Sequence, residues 1–106
     1  MTDKYNYRVQ WSDDDGEYVG LCAEFPSLSW LAKKPDAAHR GVRRLVAEVV
    51  EDLKESGERV PPPLATRRYS GRLALRIPPD LHRRLSMEAA EQNVSLSRWM
   101  ALKLAQ

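Results

Sequence analysis

One cysteine, one phenylalanine and two histidines are all that 106 residues hold of three side chains that often announce a chemistry. A lone Cys22 excludes an intramolecular disulfide and a thiolate metal cage, and it reads as a small buried strand residue. His39 and His82 stand far apart among charged neighbours and read as surface residues, so no metal site and no cofactor is expected. Long apolar runs are missing too. Stretches such as Leu45-Val46-Ala47 end in a charge well short of the ~18 residues that span a bilayer. Met1-Thr2-Asp3-Lys4 offers no apolar core of a signal peptide, which leads to the expectation of a cytoplasmic protein without a membrane partner. The length itself excludes a large catalytic scaffold.

What is present is a globular composition, 42% hydrophobic and 30% charged, with a formal net charge of +2. That figure conceals an asymmetry. Residues 1–64 carry nine basic and twelve acidic side chains, whereas residues 65–106 carry eight basic and three acidic ones. The first part is therefore at −3 and the second at +5, and a basic segment of this kind points to a polyanionic partner.

Tyr5 to Ser12 alternates with period two, Tyr5, Tyr7, Val9 and Trp11 on one face, which predicts a half-buried strand. Asp13-Asp14-Asp15-Gly16 supplies a hairpin turn and Glu17 to Ala23 the returning strand. After Phe25-Pro26-Ser27-Leu28, a third short strand is expected over Ser29 to Ala32. From Asp36, read as an N-cap, Ala38, Val42, Leu45, Val46, Val49 and Leu53 form one apolar helical face that ends at Ser56-Gly57. Val60-Pro61-Pro62-Pro63-Leu64 then reads as a polyproline spacer, rising ~3.1 Å per residue, or as the lead into one more strand of the first unit.

The last third is strongly patterned. Arg72-Leu73-Ala74-Leu75-Arg76-Ile77 alternates a basic or small face with a greasy one before Pro78-Pro79. Asp80 to Glu91 predicts a helix with Leu81, Leu85 and Ala89 on a stripe. Asn93 suits a left-handed cap, and Ser95 opens a last helix with Leu96, Trp99, Met100 and Leu104 facing inward. One strand and two short helices cannot stand alone, because the strand edges are unpaired and too little apolar surface is buried. A two-fold dimer resolves both problems: the strand pairs antiparallel with its copy over a core of Leu73, Leu75, Ile77, Leu85 and Trp99. Arg72, Ala74 and Arg76 of both chains then project from one ribbon, an element that fits the DNA major groove. Arginine forks onto guanine, whereas alanine can only touch a thymine methyl. Ser95 at a helix start, with Arg67 and Arg68, could hold phosphates.

Ser70-Gly71-Arg72-Leu73-Ala74-Leu75-Arg76-Ile77-Pro78, with Leu81-His82-Arg83-Arg84-Leu85 and Val94-Ser95-Leu96-Ser97-Arg98-Trp99, resembles the C-terminal ribbon-helix-helix of HicB-type antitoxins. Tyr7-Arg8-Val9, the Asp-Gly hairpin, Tyr18-Val19, Glu24-Phe25-Pro26-Ser27-Leu28 and the helix ending before Gly57-Glu58-Arg59-Val60-Pro61 resemble the family's N-terminal domain. Two departures stand out: Ala74 sits where a polar reader is common, and Phe25 to Trp30 lacks the glycine- and cysteine-containing turn of many members.

The resemblance implies an α+β chain: a small antiparallel sheet with one long helix (partial RNase H-like, residues 1–60), a Pro-rich linker (61–69) and a ribbon-helix-helix (70–106). It implies base contacts from Arg72, Ala74 and Arg76, and a non-enzymatic antitoxin that blocks a HicA-type RNA-cleaving toxin and represses its own operon at operator DNA. Partners would be a second copy, with pairing of dimers left open, the toxin and the operator. Alternatives are a ribbon-helix-helix regulator that senses a small ligand, or a small nucleic-acid enzyme. Asp13 to Asp15 lacks the alternate spacing of a calcium loop and reads as a solvated turn. Trp30, near the sheet end, could serve a protein interface.

Overall fold

The computed structural model describes residues 2–106 and divides into two compact units, the first running to Tyr69 and the second from Ser70 to Gln106. The chain is α+β, and its first unit builds one antiparallel sheet in the order β1 (Tyr7–Ser12), β2 (Glu17–Cys22), β3 (Ser29–Ala32), overlaid by α1 (Pro35–Glu55). Tyr7 faces Cys22 and Ser12 faces Glu17 across the hairpin, while Tyr18 faces Ala32 on the other side of β2. Gly16 turns the hairpin at φ +63°, where a side chain is disfavoured, and Asp13 and Asp15 accept hydrogen bonds from Trp11 Nε1 (2.6 Å) and Ser12 Oγ (2.8 Å). No helix among the described residues is long and apolar enough to cross a membrane.

Helix α1 buries the line Ala38, Val42, Val46, Val50, at i, i+4 spacing, with Gly41 beside it. Leu45, Val49 and Leu53, expected on the same face, are only half-buried at its margin. The core of this unit joins Val42, Val46 and Val50 to Tyr5 and the free thiol of Cys22, which burial first of all pushes to a raised pKa. Two glycines let helix and sheet approach. A Cβ on Gly20 would strike the carbonyl of Ala38, and one on Gly41 would strike the indole of Trp30.

Three expectations are corrected in this unit. Tyr5 precedes β1 instead of opening it: its ring is buried against Phe25, edge to face at 5.6 Å, and its hydroxyl donates to the Pro61 carbonyl at 2.6 Å. Asp36 is not the N-cap; Lys34 holds that position without a side-chain bond, and Asp36 pairs with Arg40 at 3.2 Å in the first turns. A proline at the first helical position needs no N–H partner, which moves the start upstream. The proline run is neither a detached spacer nor a strand. Pro63 is buried, Val60 packs on the core, and the Leu64 N–H donates to Glu24 Oε2 at 2.9 Å.

Glu24 is the hub of that attachment. Its carboxylate also accepts from the Asn6 backbone N–H (2.9 Å), Asn6 Nδ2 (3.1 Å) and the Cys22 thiol (3.6 Å). Partial burial works to raise its pKa, but the backbone N–H groups of Leu64 and Asn6 together outweigh it and hold the carboxyl below its ordinary value.

Candidate nucleic-acid interface

The second unit begins at Ser70, whose hydroxyl accepts from the Arg72 N–H at 3.0 Å, and Gly71, whose φ of +80° bends the chain. Pro78 then leads into α2 (Pro79–Glu91), which shows Leu85 and Ala89 to the interior, and α3 (Leu96–Leu104) follows a tight turn. The turn has a complete set of local bonds. Val94 N–H reaches the Ala89 carbonyl and Asn93 N–H the Ala90 carbonyl, both at 3.1 Å, while Asn93 takes the left-handed conformation at φ +61°. This is the Schellman arrangement, and it satisfies carbonyls the helix end would otherwise leave unpaired. Ser95 caps the next helix by accepting from the Arg98 N–H at 3.1 Å. A side-chain bond from Trp99 Nε1 to Glu88 Oε1 (3.1 Å) pins α3 to α2, with Lys103 over the indole.

Residues 72–77, expected as a strand, form no strand pairing among the described residues. The physical reason is the one that motivated a dimer: a strand exists through a neighbour, and this unit holds no second one. Leu73 is 76% exposed and Leu75 54% exposed, with Ile77 half-buried. These three side chains and Leu85, Leu96 and Met100 line an open groove of about 560 Å³ in which apolar surface predominates. Leu104, expected to face inward, is exposed on the same groove. Only Leu85 and Ala89 are fully buried in the whole unit.

Of the other candidate residues, Arg72, Ala74 and Arg76 are all exposed on this segment. Leu85 is enclosed within its own unit and Trp99 is half-buried with its N–H engaged. Arg67 and Arg68 belong to the first unit, where Arg67 lies 5.8 Å from the Tyr69 ring centroid. Of the histidines, His82 borders the groove and His39 stacks edge to face on Tyr7 at 6.0 Å. Trp30, partly exposed, rests on Gly41 beneath Arg44. The Tyr5 and Glu24 attachments escaped the sequence reading, because hydrogen bonds to backbone 40 or 56 residues away leave no periodic trace.

Residues 55–104 match the sequence model of the HicB family, which supports membership of that family. The match runs from the last residue of α1 to the last of α3, just under half of the chain, and leaves out the sheet. No curated protein and no solved structure is significantly similar to the chain.

Proposed function

We propose that the chain is a HicB-type antitoxin without enzymatic activity, whose second unit dimerises as a ribbon-helix-helix on operator DNA and whose first unit binds and blocks a HicA-type RNA-cleaving toxin. The observation that carries the DNA-binding half is the combination on residues 72–77: exposed leucines that border an apolar groove, alternating with exposed arginines, in a unit with two buried side chains. Pairing two such segments antiparallel would close the groove, satisfy the strand backbones and line up four arginines on a ribbon narrow enough for the major groove. The family match covers this segment, and its antitoxin character is what supports the toxin-binding half.

The tests separate the roles. Replacing Arg72 and Arg76 together by alanine should abolish specific operator binding, at about 1 to 3 kcal/mol per lost bidentate contact, while the dimer persists in sedimentation. Leu75→Asp should instead lose the dimer and DNA binding together. Unchanged operator affinity of the arginine variant in a gel shift at fixed salt would overturn the reading. For the toxin, co-purification with the product of a neighbouring reading frame is expected to protect RNA from cleavage, and failure to do so would remove that half.

A further inference from the structure

The acidic balance of the first unit hides a basic patch. Residues 33–44 carry five basic side chains and one acidic one, whereas the rest of residues 1–64 carry four basic and eleven acidic. These twelve residues form the link from β3 to α1 and the first half of α1. Lys34 occupies the N-cap, where the helix dipole disfavours a cation, so the start of the helix does not account for it. Two acids offset part of the charge: Asp36 pairs with Arg40 at 3.2 Å, and Asp3 feels the charge of Arg43. Lys33, Lys34 and Arg44 are exposed and enter no ion pair among the described residues. Exposed Glu48, one turn beyond Arg44, and then Glu51 and Glu55 mark the carboxyl-terminal limit of the patch.

Arg44 brings more than charge. Its guanidinium lies 5.4 Å over the ring of Trp30, whose indole is seated on Gly41 and is 36% exposed. Arg43, on the other flank of α1, lies in the same way 4.9 Å over the Tyr7 ring. An arginine held over a ring is oriented before a ligand arrives, and because Arg44 is exposed its planar group stays open to a second stacking partner.

We propose that this patch binds single-stranded RNA. Lys33, Lys34, Arg40 and Arg44 hold phosphates along about 15 Å of the helix start, and an unpaired base stacks on Arg44 beside Trp30. A duplex brings phosphates to such a surface but keeps the faces of its bases inside, and an acidic protein brings no bases. A stacking arginine among unpaired cations therefore favours an unpaired strand, which RNA ordinarily presents in its loops and ends. The site is independent of the segment assigned to operator DNA, which belongs to the other unit.

The experiment follows the anisotropy of a labelled oligouridylate of about 12 nucleotides with the full chain. Affinity is expected to fall about 20-fold between ~50 and ~200 mM salt, as counterion release from about three phosphates requires. Lys34→Gln with Arg44→Gln should weaken binding about tenfold, with operator binding unchanged and α1 folded by circular dichroism. Arg44→Lys keeps the charge and loses the plane, so it should weaken binding about fivefold at an unchanged salt slope. Arg72→Ala with Arg76→Ala should leave RNA binding intact, which separates this site from the operator contacts. No binding at ~50 mM salt, equal affinity for duplex RNA of the same length, or equal competition by polyglutamate would overturn the proposal. So would full affinity in Arg44→Lys, or a loss of RNA binding confined to the Arg72 and Arg76 variant.

Discussion

Glu24 does more for the first unit than its position on a bend after β2 would suggest. One carboxylate gathers the N–H groups of Asn6 and Leu64, so Glu24→Ala should cost about 2 to 3 kcal/mol, since each hydrogen bond to a charged group contributes about 1.5 kcal/mol or more. Its folded pKa lies below its ordinary 4.5, so the stabilisation is present above that value and drains away as pH falls through and below it. Thermal melts between pH 7 and 3 should therefore show a steeper acid loss in the wild type than in Glu24→Gln. The glycines offer a paired comparison. Gly20→Ala drives a methyl into the Ala38 carbonyl and should cost about 1 to 3 kcal/mol. Gly41→Ala meets first the side chain of a partly exposed Trp30, not backbone, and gains about 1 kcal/mol of helix propensity, so its melting point should fall less.

Elements were legible where the signal was local. The hairpin with its Asp-Gly turn, β3, the helix ends at Gly57 (φ +73°, with the Glu58 N–H on the Leu53 carbonyl) and at Asn93, and the Ser95 cap follow from period, turn residues and caps, because these need only a few neighbouring residues to be satisfied. Ser95→Ala should accordingly cost about 1 kcal/mol in a melt, the usual worth of a cap, without moving α2. What was misread was set by distance. Tyr5 looked like a strand residue because its parity matches Tyr7, yet its partner is a carbonyl at Pro61. The valine line shifted toward Val50 because two glycines set how α1 approaches the sheet, a fact that helical periodicity alone does not carry. Residues 72–77 show the reverse case: the alternation is plain in the sequence, and no strand forms there among the described residues.

At the scale of the whole molecule, charge separates the surfaces available to partners. The alternating arginines of the second unit and the three-stranded sheet of the first give two chemically distinct surfaces on 106 residues. The clasp formed by Tyr5 and Glu24 acts on both of them through the length of chain it leaves unattached. Fastening the chain at Leu64, four residues beyond Val60, holds the proline run on the first unit, which extends to Tyr69. At ~3.5 Å per extended residue, that removes roughly 14 Å of reach. A single carboxylate thus shortens the stretch of chain that joins the two units.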